Sequence, residues 1–421
     1  MADYVFESRR CFMRRVVVTG MGVISPVGNN VDKFWDSLKN GVCGIDYITK
    51  FDATDFKVKI AAEVKDFHPE EYMEKNEYRR MDLFAQYAVA ASVEAVNQSG
   101  IVNSVDPERL GVYVGSGVGG LITFAEEQTK LLDKGPLRVS PLFVPMMIGN
   151  MASGQVAMKF NAQGVNLPVV TACATSNNAL GEAYRAIKFG YADAIIAGGT
   201  EAPILPIAIA GFTNCMALTT RNDIKRASIP FDRKRDGFVM GEGAGSLVLE
   251  DYEHAKARNA KIFCEIVGYA NSCDAYHITA PHPEGKGGKR VLKESLEQAG
   301  FDKDIDKLYI NTHGTSTPLN DKTETLVIKG VLGEHAYKTA ISSTKSMTGH
   351  MLGAAGAVEA IASIKALQYG IVPPTINYAE SDPECDLNYT PNKAIKSDIN
   401  IAASLSLGFG GHNACVVFRR I

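Results

Sequence analysis

Three segments carry residue types that can do chemistry together: Val169-Val-Thr-Ala-Cys-Ala-Thr-Ser-Asn-Asn178, Asn311-Thr-His-Gly-Thr-Ser-Thr317 and Ser343-Thr-Lys-Ser-Met-Thr-Gly-His350. The first reads as a buried strand that turns abruptly into a helix, with Cys173 at the turn. A thiol there meets the positive end of a helix dipole and free backbone N–H groups, both of which favour the nucleophilic thiolate. A lone cysteine is more often a small buried hydrophobe, so the reading depends on the other two segments. His313 stands at a strand end beside hydroxyl residues, and His350 just ahead of a Gly/Ala-rich helix. Their spacing fits neither H-E-x-x-H nor a short His-to-His zinc motif, so no metal is expected.

The elements that must position these groups follow from the patterning. Short β-branched runs over 15–19, 110–114, 169–171, 194–197, 264–267, 308–310, 340–341 and 401–403 alternate with helical stretches. That alternation predicts an α/β fold with sheets covered on both faces. The second half echoes the first: a strand enters a Gly-containing turn (Val114-Gly-Ser-Gly117; Ile310-Asn-Thr-His-Gly314), and a small-residue helix and a closing strand follow. Leu180, Tyr184 and Ile187, and again Ala357, Ile361 and Ile364, recur at i, i+4, i+7 and give each helix a buried face. The first turns of both are rich in Gly, Ala, Ser and Asn, so the two helices can meet start to start in the middle of the molecule.

The 421 residues suffice for one large α/β unit of two fused halves. Apolar residues make up 46% and charged residues 22%, as in compact folded proteins. A formal net charge of -3 gives no whole-chain attraction for nucleic acid or anionic lipid. The eight cysteines are dispersed without a C-x-x-C pair, which reads as reduced thiols in a cytosol-like compartment. The opening MADYVFESRRCFM contains acidic residues and no apolar core, unlike a secretory signal or transit peptide. No apolar run approaches the roughly 18 residues of a membrane span. A cytoplasmic protein, without membrane insertion or a nucleic-acid partner, is expected.

Together with Val18-Thr-Gly-Met-Gly-Val23, Ser25-Pro-Val-Gly28, Pro230-Phe-Asp232, Gly237-Phe-Val-Met-Gly-Glu-Gly243, Tyr276-His-Ile-Thr-Ala-Pro281 and Gly408-Phe-Gly-Gly-His-Asn413, these segments resemble the β-ketoacyl synthases of the thiolase-like superfamily along the whole chain. Two histidines with one cysteine resemble the elongating members, and the length and the Tyr276 segment resemble the type II class. The resemblance implies a five-layer αβαβα fold of two duplicated halves, 14–260 with the nucleophile and 261–421 with the histidines. It implies an acyltransferase that condenses malonyl-acyl carrier protein (ACP), with loss of CO₂, onto an acyl thioester on Cys173, elongating fatty acids by two carbons in a dissociated system. No free cofactor is implied, since the substrates ride on the phosphopantetheine of ACP, and a homodimer is.

Carried over residue by residue, the resemblance makes His313 and His350 donors to the enolate oxygen. The N–H groups of Cys173 and Phe409 become the oxyanion hole. Lys345 and Glu324 become an ion pair near the site, and Asp321 a nearby structural acid. Thr279, Thr315 and Thr317 would touch pantetheine; Val118, Phe212 and Phe409 would line the acyl pocket; Lys75, Arg79 and Arg80 would dock ACP. The chain departs from the family at Ser404-Leu-Ser406, where Leu405 replaces an amide near a structural monovalent-cation position of some relatives, so the resemblance does not carry that cation over to this chain. Rival readings are a dinucleotide enzyme, from the G-x-G-x-x-G of Gly115–Gly120, a Cys-His hydrolase, a stand-alone polyketide ketosynthase, and a malonyl-ACP decarboxylase or non-catalytic partner.

Overall fold

The computed structural model describes residues 13–421; the opening segment through residue 12, including Cys11, lies outside the described residues. Nine strands form the main sheet: β1 (Val16–Ile24), β2 (Leu110–Gly115), β3 (Ala194–Glu201), β4 (Gly243–Asp251), β5 (Cys264–Cys273), β6 (Leu308–Asn311), β7 (Ala340–Ser342), β8 (Ile401–Gly408) and β9 (His412–Arg419). Their order is β2-β3-β4-β1-β5-β9-β8-β6-β7. The pairing is symmetric about β1 and β5. On one side β2 and β3 are parallel and β3, β4 and β1 antiparallel; on the other β6 and β8 are parallel and β8, β9 and β5 antiparallel. Val16–Val18 pair with Cys264–Ile266 and join the halves into one sheet.

Seven of the eight strand runs read from sequence lie at these strands. The eighth, 169–171, is not a strand. The chain before it makes a single parallel bridge, Asn166 to Val112, at the free edge of β2, where the other half carries β7. Beyond that bridge nothing pairs with it, and Val170 is 59% exposed. Its β-branched residues satisfied strand propensity without a neighbour to complete the ladder.

Five helices complete the layers: α1 (Leu83–Ser99), α2 (Thr175–Lys188), α3 (Lys286–Gln298), α4 (Pro318–Leu332) and α5 (Ala355–Tyr369). In the middle layer Leu180 and Ile187 of α2 and Ile361 and Ile364 of α5 share a core with Ile195 and Leu249 of one half-sheet and Val416 and Phe418 of the other. Phe84 and Ala88 of α1 cover the outer face of the first half-sheet at Ile196 and Val248. Leu292 of α3 and Val327 of α4 cover that of the second at Ile310 and Val417, where Leu405 also packs. This is the expected αβαβα arrangement. Residues Ala355–Leu367 of α5 are buried all round, more than the single buried face expected, because a middle-layer helix has no solvent side.

The helix starts do meet. A Cβ at Gly356 would stand 2.8 Å from the Asn177 side chain, so the contact requires a residue without one. Each helix is opened by a 3-10 turn, Ala172–Ala174 before α2 and Leu352–Ala354 before α5. The first residue of each turn has a positive φ, 50° at Ala172 and 43° at Leu352, a strained region for residues with a side chain. The two halves thus repeat a sharp elbow as well as a topology.

Candidate active site

Cys173 occupies the middle of the first elbow, 8% exposed. Gly408 backs it closely: a Cβ there would lie 3.2 Å from the Cys173 nitrogen. The N–H groups of Phe409 and of Cys173 itself are directed at the sulfur. The helix start does not yield the resting thiolate expected from sequence. Burial pushes the thiol up to about 12, against the opposing pull of Lys345 and the Phe409 N–H, because desolvation of the anion outweighs the dipole.

The two histidines converge on this sulfur from the other half. His350 Nε2 lies 3.0 Å from Cys173 Sγ, and the His313 and His350 rings stand edge to face with centroids 5.2 Å apart. Burial, reinforced by Lys345, holds both well below the ordinary 6.5, so both rings are neutral. Glu324 on α4 accepts from the N–H groups of His313 and Gly314 at 2.6 and 2.7 Å and so fixes the loop that carries His313. Burial lifts its carboxyl to about 8. Sγ and one ring nitrogen from each histidine fall within 4.8 Å of one another; linear spacing could not reveal a ligand set assembled from three distant segments.

The expected Lys345–Glu324 ion pair is absent. Lys345 Nζ pairs with Glu359 on α5, and both side chains are buried; Glu324 is taken up by backbone N–H groups. Glu359 is a site residue that sequence reading missed, although a lone acid in an otherwise apolar stretch of helix is a signal. Asp321 holds structure further out, accepting from the Phe231 N–H at 2.8 Å and lying 3.7 Å from Arg235.

A cavity of about 380 Å³ opens onto Cys173, His313 and His350. Thr279, Thr315 and Thr317 line it, with the two last hydroxyls 3.0 Å apart, and so do Phe212 and Phe409. Val118 does not. Its side chain is 39% exposed, and its N–H is turned to Glu201. Lys75, Arg79 and Arg80 are exposed on and just after the short helix Lys75–Tyr78.

Glu201, at the end of β3, also escaped the sequence reading. Its buried carboxylate accepts from Ser116 Oγ (2.6 Å) and from the N–H groups of Gly117 (2.8 Å), Val118 (3.1 Å) and Gly353 (2.9 Å). The G-x-G-x-x-G loop therefore cradles a carboxylate of the protein itself, which removes the dinucleotide reading. Glu201 ties that loop to the elbow just after His350. Glu201→Gln, which places an amide NH₂ against backbone donors, is expected to cost about 1–3 kcal/mol in denaturant unfolding.

Comparison with known proteins agrees with this geometry. Residues 13–255 match the Beta-ketoacyl synthase, N-terminal domain, and 263–379 the Beta-ketoacyl synthase, C-terminal domain. The chain is 51% identical to 3-oxoacyl-[acyl-carrier-protein] synthase 2 of Synechocystis sp. and 52% identical to that of Staphylococcus aureus, over 97% of this chain and 98% of each relative. A solved complex, a type II PKS acyl-carrier protein with its ketosynthase bound to the hexaketide, contains a chain that superposes with a TM-score of 0.90 at 34% identity, covering 97% of this chain and 100% of that one. Matched across both domains and carrying a buried cysteine faced by two neutral histidines, the chain belongs to the β-ketoacyl synthase family of condensing acyltransferases.

Proposed function

We propose that the protein is an elongating 3-oxoacyl-ACP synthase of a dissociated type II fatty acid system. The carrying observation is the convergence of one thiol, two neutral imidazoles and two backbone N–H groups on a single cavity. Identity of about half to relatives named 3-oxoacyl-[acyl-carrier-protein] synthase 2, against 34% to the polyketide complex, supports fatty acid over polyketide elongation. The likeness to a chain from a complex with an acyl-carrier protein supports ACP as the carrier.

In the first half-reaction Cys173 attacks the acyl thioester, and the tetrahedral oxygen rests on the N–H groups of Cys173 and Phe409. The thiol is protonated at rest, so its proton leaves as the C–S bond forms and ends on the departing carrier thiol. Malonyl-ACP then enters through the same cavity, its pantetheine amides within reach of Thr279, Thr315 and Thr317. Loss of CO₂ leaves an enolate whose oxygen takes hydrogen bonds from His313 and His350; neutral rings can donate without holding a full positive charge in a buried site. The enolate carbon bonds to the acyl carbonyl carbon, and the Cys173 sulfur leaves as thiolate and takes up one proton from solvent. Lys345, neutralised by Glu359, orients the histidines. The sequence of steps calls for no free cofactor.

Lys75, Arg79 and Arg80 suit an acidic carrier helix. Phe212 and Phe409 bound the acyl chain in this reading, and Asp321 supports the Phe231 loop. Exposed Leu167 and Val170 at the unpaired edge of the first half-sheet suit a homodimer formed along that edge. We assign the two halves to 14–260 and 261–421. The seven described cysteines are free, and among the described residues no helix is long and apolar enough to cross a membrane; both fit a cytoplasmic enzyme.

The test is product formation from acyl-ACP and malonyl-ACP, expected as the β-ketoacyl product two carbons longer; no product at any chain length overturns the reading. A second expectation concerns pH. The active histidines are neutral and their values lie well below 6.5, so malonyl-ACP decarboxylation should show no acid limb at the ordinary histidine value. The two histidines' own contribution to stability should fall below about pH 6.5, where the unfolded rings bind protons that the folded ones refuse, and His313→Asn and His350→Asn should each remove part of that fall. An acid limb of decarboxylation at the ordinary histidine value would contradict the neutral-donor reading.

A further inference from the structure

We infer that Cys173, His313 and His350 form a reversible, inhibitory binding site for a thiophilic divalent ion of the Zn²⁺ class. Sγ and one nitrogen of each ring lie within 4.8 Å of one another, and Sγ is 3.0 Å from His350 Nε2. Ligands of one tetrahedral zinc, bonded at about 2.0–2.3 Å, stand some 3–4 Å apart. The set therefore closes on an ion with small side-chain shifts, and the cavity leaves the fourth position to water or a substrate oxygen.

A further feature favours the ion. Nδ1 of both histidines is buried with no hydrogen-bond partner. No neighbour locks either ring in one tautomer, so His350 can turn the lone pair of Nε2 toward the sulfur as readily as an N–H. The positive charge of Lys345 close by opposes a second cation, but Glu359 neutralises it. Binding also replaces the thiol proton: Cys–SH and M²⁺ give Cys–S–M⁺ and a proton released to buffer, with no change of oxidation state. The occupied sulfur is no longer a nucleophile, so the ion competes with acylation.

Alkylation of the full-length protein by iodoacetamide, followed by peptide mass analysis, tests this. Micromolar ZnCl₂ is expected to slow alkylation of Cys173 about tenfold or more, with EDTA restoring it. Cys215 and Cys273, which are exposed, serve as internal controls whose rates stay unchanged. Co²⁺ should give wild type a thiolate-to-metal charge-transfer band and intense four-coordinate visible bands; His313→Ala and His350→Ala should each weaken both probes. The inference is overturned if Zn²⁺ leaves Cys173 alkylation unchanged, or if protection is as strong in both histidine variants as in wild type. Acylation of Cys173 by acyl-ACP in EDTA buffer is read separately, so failure of the metal site and failure of the condensing reading are told apart.

Discussion

After incubation with a long-chain acyl-ACP, wild-type protein gains one acyl mass on the Cys173 peptide, and Cys173→Ser gains none. Condensation in that variant falls by roughly 10³-fold or more, because a serine hydroxyl is far less acidic and less nucleophilic than a thiol and forms an oxygen ester in place of a thioester. The histidines need no sulfur to hold an enolate oxygen. Malonyl-ACP decarboxylation by Cys173→Ser should therefore remain within about tenfold of wild type, since the two donors and the cavity are intact. Carbon dioxide release and β-keto product, followed together, separate the two halves of the chemistry. Equal loss of both would mean that the cysteine shapes the malonyl site, and an acyl adduct persisting elsewhere would displace Cys173 as the nucleophile.

The second large effect lies in the Lys345–Glu359 pair, where both side chains are almost wholly buried. Glu359→Leu leaves an ammonium group in the core without a carboxylate and is expected to cost about 3–5 kcal/mol in denaturant unfolding. The double variant Lys345→Met/Glu359→Leu removes both charges and should recover most of that loss. Activity should not recover with it, because the donors at His313 and His350 lose the field of Lys345. If single and double variants unfold at the same denaturant concentration, the pair is not the anchor that its burial implies. The sign of the pH effect is also fixed: burial raises the Glu359 carboxyl from 4.5 to about 7, so its contribution to stability is lost as pH rises from 4.5 to about 7, a loss that a Gln at 359 would not show.

Much of this was legible in the sequence because the decisive residues sit where elements change type. Cys173, His313 and His350 each stand at a turn, and turns carry chemistry more often than helix middles do. The partner of Lys345 was not legible, because Glu324 and Glu359 are both helical acids and only the packing of α5 against the elbow brings one of them within reach. Val118 was placed in the acyl pocket by likeness, yet its loop is drawn to Glu201 by two N–H bonds and the Ser116 hydroxyl, which no local pattern announces. The 169–171 segment has the composition of a strand and lacks only a neighbour, a long-range condition that propensity cannot see. The resting state of the Cys173 thiol was misjudged for a related reason: the dipole is local and readable, whereas the desolvation that defeats it depends on the whole surround.

The repeated elbow has a consequence for how the reacting oxygen is held. At the second elbow Gly353 stands where Cys173 stands in the first, and its N–H is permanently engaged at 2.9 Å by the carboxylate of Glu201. At the first, the corresponding N–H points at the sulfur and awaits an oxygen that exists only while a thioester is being made or broken. One fold device thus occurs in a filled and a reloadable copy. The filled copy shows, in the resting protein, the donor-to-anion spacing that the reactive copy attains only in passing.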